Sequence, residues 1–414
     1  MADRNHQPQK PITNRRDKFS SDSNQSKSHN PKPSNPISNC RNDTVSAHQD
    51  FPALMGSCPF MCPVEERIRR ERLRDLSVLE RLHGNPAKTS PTLAVKKFCR
   101  TISTREMQAS DLRPIPVLES TLNYLLNLMH SEDHPFEVVH DFIFDRTRSI
   151  RQDLSMQNAV GDRVIHMYER MVKFHIVSRH HLQRSCGTPN AVSLYHLNAE
   201  QLMKSLTTLL NLYEANRADS HSTFLQSEAE FYSHYLLLHL DSKNQGEPLS
   251  LWLRRIPSPI MKSREMRFAR RILRYYRMGN YKRFIHTTEN EASFLQYCII
   301  EPYINEVRIL ALSCISYGGY KMQAYPLVQL SKILMMEESE VENFCTDCAL
   351  ETSSDGATGK GLMSTKQLVV NKFSSGPHKK DNLSNLLHQL IPLVVKMGEA
   401  FVVDSYPRSR RYVC

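Results

Sequence analysis

The chain has 414 residues, 40% hydrophobic and 23% charged, values that fit a protein able to bury a sizeable core. Its 54 lysines and arginines outnumber 43 acidic residues for a net charge of +11, which points to a polyanionic partner (nucleic acid, anionic lipid or an acidic protein) and leaves the fold open. Ten irregularly spaced cysteines read as reduced thiols rather than a disulfide framework. With neither a secretory leader nor an apolar run of about 20 residues, a soluble intracellular protein without membrane insertion is expected.

In chain order, residues 1–50 are rich in Ser, Asn, Pro, Lys and Asp and carry eight basic against five acidic side chains. So few large apolar groups cannot offset the entropy of ordering, and a disordered basic tail is expected. Residues 51–319 read as one helix after another. Pro63 stands at the first helical position, with Glu65 and Glu66 in the first turn, where acids favour the positive end of the dipole. Further helices are expected at roughly 116–131, 134–151, 158–182, 198–217, 224–241, 262–278 and 290–317. Leu118, Leu122, Leu125 and Met129, and again Leu202, Leu206, Leu209 and Tyr213, supply the 3–4 spacing. Asn198 followed by Gln201 reads as a capping-box start. Helix pairs joined by short turns predict an all-α helical-repeat solenoid, with a period not clean enough to name the repeat from spacing alone.

The pattern changes at 320–376. Two short helices, at about 326–335 and 338–349, precede a Ser/Gly-rich loop at 352–361 and a strand at Gln367–Phe373. That order fits a winged-helix subdomain with a small β-wing. Residues 377–414 read as a last amphipathic helix, 382–400, and a tail.

Several blocks carry a family resemblance. Gly56 to Arg67 (GSCPFMCPVEER), continuing to Leu79-Glu80, is similar to the opening signature of the Sac-three/GANP family. Val95 to Arg100 (VKKFCR), Asp111 to Pro114 (DLRP), Phe142 to Asp153 (FIFDRTRSIRQD), Ser227 to Phe231 (SEAEF) and Gly279 to Tyr281 (GNY) follow in the family's order, so the resemblance spans roughly residues 52–375. It implies a PCI-like plan, a TPR-like helical array ending in a winged helix, in a non-enzymatic scaffold of the transcription-and-export complex TREX-two. The partners it implies are a second PCI-domain subunit carrying a small acidic Sem/Dss-type protein, single-stranded RNA or mRNP, and nuclear pore components. The location it implies is nuclear, nucleoplasm or pore. The sequence departs from the long family members in lacking phenylalanine–glycine repeats and a centrin-binding extension, and in having Ser227 where Asn is usual. The alternative is a centrosomal or cytoplasmic protein acting in centrosome duplication and mitotic progression, as short family members have also been linked to.

The candidate site lies between Arg254 and Arg283, where eleven Lys or Arg and one acid, Glu265, give +10. At about 100° per residue, Arg264, Arg267, Arg270, Arg271, Arg274 and Arg277 fall within one arc. Met266, Ala269, Leu273 and Tyr276 fall opposite, with Phe268 and Tyr275 at the edge of the basic arc. Guanidinium forks bind phosphate bidentately and an adjacent ring can stack on an unpaired base, so these arginines with Lys282 and Arg283 are the predicted RNA-binding residues. The competing reading is a solvated face or one docking an acidic protein. Lys360, Lys366 and Lys372 on the wing are a second candidate surface. The helix at 338–349, with Glu337, Glu338, Glu340 and Glu342 near its start, is electrostatically poor for insertion into a duplex major groove.

Other signals are weaker. Cys58, Cys62, Cys345 and Cys348 could suggest zinc half-sites, but their helical contexts favour buried thiols and no metal or other cofactor is expected. Gly356 to Gly361 (GATGKG) has the wrong spacing for a phosphate loop. Asp141 and Asp145 sit beside Arg146, Arg148 and Arg151, which favours ion pairing that pins helices together. His180-His181 lacks a third ligand, and nothing assembles a nucleophile, base and orienting group, so no enzyme is expected.

Overall fold

The computed structural model describes residues 54–101, 108–185, 189–217, 225–241, 249–318, 324–348, 350–355 and 359–362. Among these the chain is all-α in class, a helical-repeat array followed by a small helix-and-hairpin unit. The tail at 1–50, the strand at 367–373 and the helix at 382–400 lie outside the described residues.

Helix α1 (Val64–Leu73) follows Pro63, which serves as its N-cap with extended ψ, one position earlier than expected. Single turns at Val78–Glu80, Leu82–Gly84 and Ala109–Asp111 lead to α2 (Ile115–Asn127). The array continues through α3 (Phe136–Met156), α4 (Asp162–Arg184), α5 (Pro189–Asn216) and α6 (Leu225–Leu238). Then come α7 (Leu249–Arg255), α8 (Ser258–Met261), α9 (Arg264–Arg277), α10 (Tyr281–Glu291) and α11 (Phe294–Gly318). Sequence neighbours α4 and α5 pack along each other, while α6 packs on α9 and α11 returns against α4. One apolar core runs through the array, from Val95 and the α2 leucines Leu118, Leu122 and Leu125 to Ile304 and Val307 on α11.

Two expected boundaries move for physical reasons. Helix α5 begins nine residues before Asn198, so Asn198 is no cap. It is fully buried in mid-helix, where its Oδ1 meets His175 Nδ1 at 2.8 Å and His140 Nε2 at 3.3 Å, and its Nδ2 donates to the His175 carbonyl. The helix expected over 290–317 is divided at Ala292–Ser293. The Gln296 side chain accepts from the Ser293 N–H at 3.0 Å and the Ser293 hydroxyl accepts from the Gln296 N–H at 3.3 Å, which starts α11 afresh.

After α11 come β1 (Tyr325–Pro326), α12 (Leu327–Leu334), α13 (Glu338–Asp347), β2 (Thr352–Asp355) and β3 (Gly359–Leu362). The three strands form an antiparallel sheet in the order β1-β3-β2. The Ser/Gly-rich stretch expected to be a loop is therefore largely strand. Its apolar signal is weak because, among the described residues, the buried large apolar side chains Leu350 and Leu362 only flank it; main-chain pairing does the rest. Gly361 is required there, since a Cβ would stand 2.6 Å from that of Ala324. A second apolar core joins Ala311 and Leu312 of α11 to Leu327, Leu330, Leu334, Val341, Cys345 and Leu362.

Candidate nucleic-acid interface

Helix α9 is built from a strong local start. The Ser263 hydroxyl accepts from the Met266 N–H at 3.1 Å and Glu265 sits in the first turn, satisfying the positive helix end. The helix ends at Gly279, whose φ of 64° lets the chain reverse while the Asn280 N–H reaches the Tyr275 carbonyl at 2.9 Å. Asn280 then caps α10 by accepting from the Arg283 N–H.

Packing against α6, α8 and α10 buries Met266, Phe268, Ala269, Ile272 and Leu273, leaving the basic arc outward. That arc lines a groove of about 720 Å³. Its walls hold Arg264, Arg267, Arg270, Arg271, Arg274 and Arg277, together with Leu253 of α7, Leu273 and Glu291 of α10. Leu253 and Glu291 were not legible as groove residues, because they arrive from other helices and no spacing links them to α9.

Five of the six arginines are exposed, and Arg271 is half-buried. Among the described residues only Arg271 makes an ion pair, with Glu291. Arg267 donates its Nε to the Ser263 carbonyl at 3.3 Å, leaving both terminal nitrogens to the groove. Lys282 and Arg283 are exposed in the first turn of α10 and are not among the groove-lining residues. Lys360 lies apart on β3, where its Nζ donates to both carboxylate oxygens of Glu342 on α13 at 3.0 and 2.8 Å. This cation thus answers the acidic helix beside it. Lys366 and Lys372 lie outside the described residues.

The aromatic part of the expectation is corrected. Phe268 is 2% exposed and belongs to the core, not to the edge of the basic arc. A helix flanked on two sides buries a wider arc than one apolar face, and Phe268 falls next to Ile272 within it. Tyr276 packs on Phe284 and Tyr303 and donates its hydroxyl to Glu306 at 2.8 Å, which with burial raises its pKa. Tyr275 is half-buried against the core.

Arg70, Glu80, Lys96, Arg113, Arg146 and Asp153 of the N-terminal blocks are buried and ion-paired, as the expected pinning of helices requires. Glu80, fully buried, accepts from Arg70, from Arg146 at 2.8 Å and from the main-chain N–H groups of Val95 and Ser77 at 3.0 and 3.1 Å. Burial pushes its carboxyl up, but the Arg146 and Arg70 guanidiniums outweigh this and hold it below the ordinary range. Asp153, also fully buried, takes Lys96 at 2.6 Å and Arg113 at 2.7 Å, and Arg113 extends to Ser149 and the Met61 carbonyl. Of the acids on α3 singled out in the sequence, Asp145 joins this network through Arg146 and the Phe98 N–H. Asp141 stays exposed, with its pKa raised by partial burial and by Asp145. Arg148 stacks on Phe98 at 3.8 Å.

The four cysteines fall into two places. Cys58 and Cys62 are buried near the start of α1, and Cys345 and Cys348 lie in the second core. Among the described residues no cluster of three or more His, Cys, Asp or Glu is placed to hold a metal ion. His180 pairs with Glu301 of α11. No helix among the described residues is long and apolar enough to cross a membrane.

Fold and groove together define an α-helical-repeat module, tied at its N-terminal end by buried ion pairs and bearing an outward arginine groove. The chain belongs to the SAC3/GANP family, whose model matches residues 61–354. It is 35% identical over 300 residues to SAC3 family protein B of Arabidopsis thaliana, covering 70% of this chain and 17% of that protein. It is 29% identical over 326 residues to SAC3 family protein 1 of Schizosaccharomyces pombe, covering 73% and 30%. Similarity to Protein xmas of Drosophila melanogaster is 26% over 334 residues, 77% of this chain and 16% of that protein. The chain thus spans less than a third of the length of each of these relatives.

Proposed function

We propose that the chain is a non-enzymatic scaffold of a TREX-two-type assembly in nuclear mRNA export, holding single-stranded RNA along the α9 groove. One observation carries the RNA reading: six guanidiniums share a groove in which, among the described residues, a single carboxylate answers one of them. Guanidiniums that no described carboxylate answers hold surplus positive charge available to phosphate. Family membership supports the export setting.

In this reading residues 320–376 form a winged helix that binds a second PCI-domain subunit with its small acidic Sem/Dss-type protein. The acidic start of α13 and the Glu342–Lys360 pair make the wing a poor surface for nucleic acid and a better one for protein. The array at 51–319 supplies the RNA-binding part, and the setting is nucleoplasm or nuclear pore.

The test measures binding of the full chain to a fluorescent single-stranded RNA at two salt concentrations. Combined Arg267→Glu, Arg270→Glu and Arg274→Glu substitutions should weaken binding by at least about tenfold and flatten its salt dependence. Arg271 is spared, because a glutamate there would face Glu291. Unchanged affinity would remove α9 from the mechanism.

A further inference from the structure

Resting on the RNA-binding reading of the same groove, we infer that it reads phosphate alone, accepting a polyphosphate backbone without contact to the bases. Two sets of observations lead there. The first is the chemistry of the wall. Among the described residues every polar side chain that lines it is a guanidinium except Glu291, and the other lining side chains are Leu253 and Leu273. Guanidinium forks match phosphate oxygens bidentately. Among the described residues the wall carries no side-chain amide, hydroxyl or ring to read a Watson–Crick edge or to stack on a base.

The second is the fate of the nearby aromatic rings. Trp252, next to groove residue Leu253, lies against the ring of Tyr235 at 4.5 Å and that of Tyr232 at 5.9 Å. Phe268 is in the core, Tyr276 is held by Phe284, Tyr303 and Glu306, and Tyr275 packs on the core. Sequence-tolerant single-strand binders add stacking platforms to their cationic channels. Here the platform is turned inward and the cations remain. A 14-residue helix is about 21 Å long, so arginines distributed from Arg264 to Arg277 can meet several successive phosphates.

Bases would then lie away from α9, free to pair or to be read by other proteins. The groove would hold RNA whatever its sequence, and would equally accept other linear polyphosphates.

Three probes of about twelve units, a length within the usual single-strand site size, separate phosphate from base. They are oligouridylate, the same ribose-phosphate chain lacking its bases, and linear inorganic polyphosphate. Anisotropy titrations of the full chain should give affinities for the first two within about fivefold, the smallest loss expected if even one base were stacked. Polyphosphate should displace oligouridylate, and Arg270→Glu with Arg274→Glu should weaken all three probes in step. A larger loss on removing the bases, or a similar gap between oligouridylate and oligocytidylate, overturns the phosphate-only inference while leaving RNA binding intact. No binding of any probe overturns both. Circular dichroism melts of the double variant show whether the fold is retained. If it is not, the comparison of probes on the unmodified chain still decides.

Discussion

Glu291, the last residue of α10, pairs with Arg271 across the wall of the arginine groove and is the one carboxylate lining it among the described residues. Both side chains are substantially solvated, so the pair contributes little to stability. Its consequence falls on binding, because an incoming phosphate must compete with Glu291 for Arg271 and approach its negative charge. Glu291→Gln should therefore raise affinity for single-stranded RNA about two- to fivefold at low salt, with the gain shrinking as salt screens the charge. Fluorescence anisotropy at two ionic strengths measures this. A loss of affinity would show that Glu291 orients Arg271 instead of competing with phosphate.

A different carboxylate governs the fold. Glu80 is fully buried between Arg70 and Arg146, and removing it leaves two guanidiniums facing each other without water. Glu80→Ala should destabilise the protein by about 3–5 kcal/mol, as expected for breaking a buried ion pair by deleting one partner. Thermal melts followed by circular dichroism should move down by on the order of 10 °C. Any protein that remains folded should bind RNA as before, since Glu80 is not a groove residue. A melt within a degree or two of the unmodified protein would show that solvent reaches the site and rescues both arginines.

These two carboxylates show how much could be read from residues alone. The helical class, the long array helices and the basic arc follow from local periodicity, which one sequence displays fully. The arc was legible because its arginines share a single helix. Glu291 and Leu253 were not, since a groove wall assembled from α7, α9 and α10 depends on tertiary packing. Phe268 was misplaced for the same reason, because the width of a buried arc is set by how many neighbours a helix has. Asn198 looked like a cap because Asn caps helices so often. Its true role, bridging two histidines from α3 and α4, rests on contacts 58 and 23 residues away.

Those histidines predict a pH dependence. Burial pushes His140 and His234 down to about 4 and His175 to about 3. Each ring is neutral in the folded state, whereas the unfolded chain takes up protons near pH 6.5. Folded values below the unfolded one mean that the contribution is complete above about pH 6.5 and is lost as pH falls toward 4. The lowered Glu80 carboxyl acts in the same direction at still lower pH. The urea midpoint should thus fall steadily from pH 7 to pH 4.5. His234, whose two ring nitrogens are buried and meet no hydrogen-bond partner among the described residues, is the ring to replace. His234→Leu should keep stability at pH 7.5 and make the midpoint less steep in pH. An unchanged slope would mean that His234 is not among the groups that titrate.

Arg308 links the array to the second core. It is 1% exposed on α11 and donates its Nε to the Leu334 carbonyl at 3.0 Å, its Nη2 to the Met335 carbonyl at 2.9 Å and its Nη1 to Asn305 Oδ1 at 3.0 Å. The cation thus satisfies carbonyls at the end of α12, where the chain turns through left-handed Met335 and the helix dipole is negative. Arg308→Met keeps the bulk of the stem but leaves the buried Leu334 carbonyl and the partly buried Met335 carbonyl without these donors, at a cost of roughly 1–3 kcal/mol for the first and less for the second. The loss should be local, because the second core is built from few elements. Hydrogen exchange should speed up in α12, α13 and β3, while the amides of α2 to α6 keep their protection. RNA affinity should stay within about twofold, since the arginine groove is made by α7, α9 and α10. Arg308→Lys, which preserves the charge but offers a single nitrogen, should fall between the two. Uniform loss of protection along the whole chain would instead make Arg308 part of one cooperative unit spanning both cores.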